Sequence, residues 1–386
     1  MTHSVSPALR CAAALAALII APPPSALAAP VGERAPVRRP HIRPHVRPLY
    51  LRPRPRFHAR RYVRKPAPSI PARLVGVCGC PVAGALTFSA NGTRLAAGSG
   101  SGLSLTSPGE VRVWDISTGH LVYTVPYTSP ICAIAYSPVG DTLAASTVQS
   151  HVTVWSATTG MPLRTLAPPH SAGGVCLAFA PSGEVLATGG GDLAGSQFPG
   201  EARLWNVHTG ASMQTLAHPH RSVVSVQFAP DGAECLVATR GLGTDENGAL
   251  DLWDKYLQAH RWTRPTTGLV GAALVDGGAS VASLHSEAAG KSYVLHVRLW
   301  NGKSGVAQNS YRVPMGGWAI SPNGKLLACT GDDRKSIAVR DARTGRFLHK
   351  LTCDSAPSSL TLAFSNDGRL LAGGAQDGTV LLWTLK

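Results

Sequence analysis

The sequence predicts an all-β fold of seven four-stranded antiparallel sheets arranged around an axis. Three observations predict it. Turn glycines lie four residues after an apolar residue seven times, at Phe88/Gly92, Tyr136/Gly140, Phe179/Gly183, Phe228/Gly232, Leu274/Gly278, Ile320/Gly324 and Phe364/Gly368. A later strand of each unit ends at Trp114, Trp155, Trp205, Trp253, Trp300, Arg340 or Trp383, about 45 residues apart on average. Periods of roughly 20–50 residues are the signature of repeat architectures. Within each unit apolar and polar residues alternate with a period of two, as in Val111-Arg112-Val113-Trp114 and Leu250-Asp251-Leu252-Trp253. That is the periodicity of half-buried strands, not of helices.

The chain has 386 residues and a formal net charge of +15. Residues 1–29 carry Arg10, then an eleven-residue apolar run, then small residues ending in Ala26-Leu27-Ala28. This is the layout of a secretory signal peptide, with cleavage expected near Ala28 or Ala29. The run is too short to span a bilayer as a permanent helix. The mature chain is therefore expected to be exported, periplasmic or secreted, with no transmembrane segment after cleavage.

Residues 30–69 form a second zone. Its stretch 31–68 holds 12 Lys and Arg against one acid, Glu33. Arg-Pro recurs at Arg39, Arg43, Arg47, Arg52 and Arg54, and Arg56, Arg60, Arg61 and Arg64 follow. Proline fixes φ, disfavours helix before it and lacks an N–H for a sheet. A disordered, extended, solvated arm is expected. Guanidiniums on a stiff backbone suit polyanions such as acidic polymers or an envelope surface; the alternative is a plain spacer. Residues 69–386 keep 23 basic and 20 acidic side chains, a balance of +3. A near-neutral body argues against sequence-specific nucleic-acid binding by the repeats.

Residues 70–386 hold the seven units. Turns such as Ala229-Pro230-Asp231-Gly232 and Ser321-Pro322-Asn323-Gly324 close tight hairpins, with glycine accepting positive φ. Seven such sheets bury their faces best by radial closure, as a seven-bladed β-propeller. The chain ends three residues after Trp383, which leaves no outer strand for the last blade. Upstream, residues 70–75 (IPARLV) resemble the outer-strand stretch 161–166 (MPLRTL), and each stretch ends 13 residues before Phe88 or Phe179. Residues 70–75 are thus expected to complete blade 7 and remove its exposed edge.

Here the sequence resembles the WD-repeat β-propeller family. The carriers are Val-Arg-Val-Trp-Asp (111–115), Ala-Arg-Leu-Trp-Asn (202–206), Leu-Asp-Leu-Trp-Asp (250–254), Val-Arg-Leu-Trp-Asn (297–301) and Gln-Asp-Gly-Thr-Val-Leu-Leu-Trp (376–383). Blade 6 departs from the pattern with Arg340-Asp341, and blade 5 lacks the first-strand aromatic, so looser packing is expected there. The resemblance implies a non-catalytic protein-interaction scaffold without a cofactor. Together with the export signal it suggests a bacterial protein. It also implies a structural His–Asp–Ser/Thr–Trp hydrogen-bond network inside a blade. Candidates are His170, Asp192, Thr188 and Trp205 in blade 3, and His220, Asp245, Thr239 and Trp253 in blade 4.

Blades 1, 3, 4 and 5 carry extra residues between their second and third strands, at 98–110, 189–201, 240–249 and 284–294. Three are consecutive, so they are expected to form one raised, mildly acidic patch of loops. It contains Asp192, Phe198, Glu201, Arg240, Asp245, Glu246, Glu287 and Lys291, and it is the expected partner-facing surface, since function concentrates in loops on a rigid scaffold. Among the cysteines, Cys132, Cys176, Cys235 and Cys329 read as small buried hydrophobes. Cys353 lies in the loop from blade 6 to blade 7, with Cys78 and Cys80 in the loop entering blade 1. A disulfide from Cys353 to Cys78 or Cys80 would staple the seam in an oxidising compartment; free thiols are the plainer alternative.

No Gly-x-Ser-x-Gly, His-Glu-x-x-His or phosphate-binding loop occurs. His218-Pro219-His220 reads as an interblade loop rather than a metal site. The expectation is a monomeric scaffold that is not an enzyme, with no catalytic or metal residues. The alternatives are an envelope adhesion protein acting through its tail, and a propeller hydrolase or lectin.

Overall fold

The computed structural model describes residues 69–71, 73–77, 85–100, 108–166, 174–191, 199–241, 247–289, 292–314, 316–331, 333, 335–352, 360–375 and 377–385. The expected signal peptide and residues 30–68 of the expected disordered arm lie outside these residues, and so do Cys78, Cys80 and Cys353 of the expected staple; Ser69, expected to end the arm, is instead in a strand.

Each repeat folds into one antiparallel sheet whose strands succeed one another from axis to rim. Blade 1 comprises Ala85–Phe88, Arg94–Gly100, Gly109–Asp115 and Leu121–Tyr127. Blade 2 comprises Ile131–Tyr136, Thr142–Thr147, Val152–Ser156 and Pro162–Leu166, and blade 3 Gly174–Phe179, Val185–Gly190, Gly200–Asn206 and Ser212–His218. Blade 4 follows with Arg221–Phe228, Glu234–Gly241, Asn247–Asp254 and His260–Thr267, and blade 5 with Leu269–Val275, Ser280–Ala289, Ser292–Asn301 and Ala307–Val313. Blade 6 has Trp318–Ile320, Leu326–Thr330, Ser336–Asp341 and Phe347–Thr352. Blade 7 has Leu360–Phe364, Leu370–Ala375 and Thr379–Thr384 from the C-terminal repeat, and takes Arg73–Val77 as its outer strand.

The hairpins form where local chemistry closes them. In blade 1, Gly92 donates its N–H to the Ser89 carbonyl at 2.9 Å, and Asn91 Oδ1 accepts from Thr93 N at 3.1 Å. Gly92 sits at φ +69°, a conformation that costs glycine little. The same serine–Asx device recurs at Ser321/Asn323 and Ser365/Asp367.

Alternation puts one face of each sheet against the next blade, so the core is divided among the seams. One apolar cluster lies at each of the seven, from Leu86, Trp114, Val380 and Leu382 between blades 7 and 1 to Leu351, Leu362, Leu371 and Trp383 between blades 6 and 7. The repeating tryptophan is the plug: Trp114, Trp155, Trp205, Trp253, Trp300 and Trp383 each pack against the preceding blade. Trp383 is fully buried. Blade 6 places Arg340 where the plug belongs, with its Nη1 donating to Gly345 O at 3.2 Å. The seam between blades 5 and 6 therefore has no third-strand tryptophan. Its indole, Trp318, comes from the innermost strand and is half-buried.

Polar links cross the seams as well. Tyr123 Oη donates to Ala157 O at 2.8 Å, and Trp262 Nε1 donates to Gly302 O at 2.7 Å, so outer-strand side chains cap the next blade's turn. Near the axis Ser225 Oγ donates to Ala272 O at 2.8 Å, and Leu274 N donates to Gln227 Oε1 at 2.6 Å.

The closure differs from the expected one in register. Blade 7 is completed by Arg73–Val77, running antiparallel to Thr379–Thr384 with Arg73 opposite Leu382 and Val77 opposite Thr379. Of the expected stretch 70–75, residues 70 and 71 belong elsewhere. Ser69–Pro71 adds to the outer edge of blade 6 as a parallel fifth strand, with Ser69 opposite Lys350 and Pro71 opposite Thr352. Outer strands carry no strict apolar alternation, so their register is weakly encoded in sequence. Pro71 is tolerated there because a sheet edge does not need its missing N–H.

Candidate interaction face

The connections between second and third strands emerge with the interblade loops on one face of the ring. In blade 5 the described residues of the expected loop 284–294, namely 284–289 and 292–294, are sheet. The second and third strands continue in register through Ser286↔Leu295, Glu287↔Val294 and Ala288↔Tyr293 to Ala289↔Ser292. The outer strand stops at Val313, opposite Leu295. Beyond that row no further strand pairs with the second and third among the described residues, and they form a ribbon. Tyr293, Val294 and Leu295 are apolar or aromatic residues of the kind enriched in strands, which suits pairing over looping. In blade 4, Arg240 and Gly241 belong to the second strand and Asn247–Ala249 to the third.

The candidate surface residues divide accordingly. Glu287 sits on the ribbon with its side chain 63% exposed, and its Oε2 lies 3.2 Å from His296 Nε2. Arg240 is half-buried in the second strand of blade 4. Glu201 is not a loop residue: it lies in the third strand of blade 3, where Arg203 Nη2 meets its Oε2 at 2.7 Å. Glu110 and Arg112 repeat this pair in blade 1 at 2.9 Å. Asp192, Phe198, Asp245, Glu246 and Lys291 lie outside the described residues.

The expected hydrogen-bond network is formed in part in blade 3, where Trp205 Nε1 donates to Thr188 Oγ1 at 3.0 Å; His170 and Asp192 lie outside the described residues. In blade 4 it does not form among the described residues. Thr239 Oγ1 accepts from Ala249 N at 3.1 Å, and the Trp253 ring meets His260 edge-on at 4.8 Å, its Nε1 without a partner among the described residues. His220 is exposed in a turn at φ +61°, while its neighbour His218 is the buried one, its pKa lowered by burial. Blade 4 builds another set instead. Thr263 Oγ1 donates to the buried Asp251 carboxylate at 2.6 Å and lies 2.7 Å from His260 Nε2.

Blade 5 holds a network that sequence reasoning missed. Trp300 Nε1 donates to Ser283 Oγ at 2.7 Å, Ser283 Oγ lies 2.7 Å from His285 Nε2, and His285 Nδ1 lies 3.0 Å from Thr267 O. A neutral imidazole protonated on Nδ1 satisfies every group. Burial pushes the His285 pKa down to about 4, which keeps the ring neutral. The signal was available: Ser283 precedes Trp300 by 17 residues, as Thr188 precedes Trp205. Serine beside imidazole is a nucleophile–base pairing in outline. Here both side chains are buried, and Ser283 is engaged by Trp300, so the pair braces the sheet that carries the ribbon.

The cysteines at 132, 176, 235 and 329 lie in strands, the last two buried. Burial raises the Cys176 and Cys235 thiols to about 12. Among the described residues no group of three or more His, Cys, Asp or Glu side chains could hold a metal ion, and no helix is long and apolar enough to cross a membrane.

Comparison with known proteins gives two likenesses. Residues 160–193 and 345–384 match the family model described as WD domain, G-beta repeat. The solved structure of Kuenenia stuttgartiensis Hydrazine Synthase is similar over 80% of this chain and 97% of that chain, with a TM-score of 0.65 at 15% sequence identity. At that identity the likeness is one of fold alone.

Proposed function

The chain is a WD-repeat β-propeller, and from that premise we propose that it serves as an exported, non-catalytic scaffold holding a protein partner on the face of the blade 5 ribbon. The observation that carries this reading is the ribbon itself. Its base is braced by Trp300, Ser283 and His285, and it lifts an exposed carboxylate, Glu287, above a closed ring. Rigid scaffolds present binding groups on the segments that rise from them. A two-stranded ribbon also offers edge N–H and C=O groups to an incoming strand.

The basic arm supports a second reading, adhesion to acidic envelope polymers, because residues 31–68 concentrate +11 of the net charge. Such a charge speeds encounter with polyanions and is screened by salt. Affinity capture from an envelope fraction separates the two. The full mature chain is compared with a variant lacking 31–68 and with Glu287→Lys. A partner retained by the arm deletion and lost by Glu287→Lys supports the ribbon face. Loss with the arm alone supports adhesion. A partner that survives both changes overturns the two readings together.

A further inference from the structure

We propose that a cleft at the seam of blades 5 and 6, on the face opposite the ribbon, binds a short zwitterionic peptide with both ends free. The cleft encloses about 400 Å³, within the roughly 300–1,000 Å³ typical of small-ligand sites. It opens at the one seam where Arg340 replaces the tryptophan plug.

Its chemistry is amphoteric. Val275, Leu299 and Ala342 supply buried apolar wall, and Asp276, Gln308 and Arg343 stand around it. Asp276 is the exception among the turns of this face. Asn91, Asp231, Asn323 and Asp367 each accept hydrogen bonds from their own turn, and Asp141 accepts from Ser156 and Thr158. The turns nearer the rim behave alike, at Asp115, Asn206, Asp254, Asn301 and Asp341. Among the described residues Asp276 makes no side-chain hydrogen bond or ion pair. It opens an Asp-Gly turn at φ +53°, the left-handed geometry such turns adopt. Its Oδ1 would lie 2.7 Å from a Cβ at position 324, so Gly324 leaves the room the carboxylate occupies.

Arg343 complements it. Its backbone carbonyl is held by Asn309 Nδ2 at 2.7 Å, while its exposed guanidinium has no ion pair among the described residues. One cleft thus presents an unengaged carboxylate and an unengaged guanidinium that do not pair with each other. An α-ammonium suits the first and a terminal carboxylate the second, each as a charge-assisted hydrogen bond. The apolar wall suits an aliphatic side chain between them.

The test is calorimetric titration of the full mature chain with glycyl-leucine. Saturable one-to-one binding is expected with a dissociation constant of about 1 mM or tighter. Asp276→Asn and Arg343→Gln should each weaken it about tenfold or more, and so should N-acetylation or C-terminal amidation of the dipeptide. Both substitutions lie on exposed turns and leave the apolar seams intact. Absence of saturation up to about 10 mM, or equal binding by wild type and both variants, overturns the proposal. Capture of a partner through the ribbon is unaffected by these variants, so failure here leaves that reading standing.

Discussion

Acidification should loosen blade 5 through one side chain. His285 is 2% exposed. Burial is the main cause of its depressed pKa of about 4, opposed by the Thr267 carbonyl and reinforced by Arg298 and His296 nearby. Unfolded, the imidazole titrates near its ordinary 6.5. Between those values the unfolded chain takes up a proton that the folded chain refuses. The stability His285 contributes is therefore present above about pH 6.5 and falls as pH drops toward 4. From pH 7 to pH 5 the loss is about 2 kcal/mol, rising to about 3 kcal/mol at pH 4. Protonation on Nε2 would also turn that atom from acceptor to donor, so Ser283 would no longer donate its hydroxyl proton there. The assay is chemical denaturation at pH 7 and pH 5 of wild type and His285→Gln, whose amide keeps one acceptor and one donor. Wild type should lose about 2 kcal/mol more than the variant across that interval. Parallel losses, within about 0.5 kcal/mol, would refute the assignment of a buried neutral imidazole.

Other outcomes follow from the seams and the closure. Trp383→Ala removes a fully buried plug between blades 6 and 7 and should cost about 3–5 kcal/mol, read as a lower denaturation midpoint. A chain beginning at Ser69 should keep the ring, whereas one beginning after Val77 exposes the edges of blades 6 and 7 and should aggregate, as seen by light scattering. Cys176 and Cys235, held near 12 by burial, should resist iodoacetamide at pH 8 in the native protein and react after denaturation, as mass spectrometry would record.

Much of the ring was legible because its signals are local and repeated. A tryptophan every 45 residues or so marks a seam, and glycine after Pro-Asx marks a hairpin whose geometry few other residues accept. What escaped depends on distant partners. Residues 70–75 suit any outer edge, so the split between blade 6 and blade 7 was set by the neighbouring sheets. Glu201 reads as a loop acid until Arg203, two residues along the same strand face, is seen to engage it. His218 and His220 flank one proline, and only the turn decides which is buried. The ribbon was hidden because extra residues between strands look like an insertion whether or not they pair.

The crossing of the incoming chain from blade 6 to blade 7 has a mechanical consequence. Ser69–Pro71 lies alongside Lys350–Thr352, and Arg73–Val77 alongside Thr379–Val380 and Leu381–Leu382. Tension applied at Ser69 along the strand would load the first set of backbone bonds in shear, all at once, before any force reached the second. A tether pulled from this end would thus meet a latch ahead of the clasp, and the ring would stay shut under loads that peel a single hairpin apart.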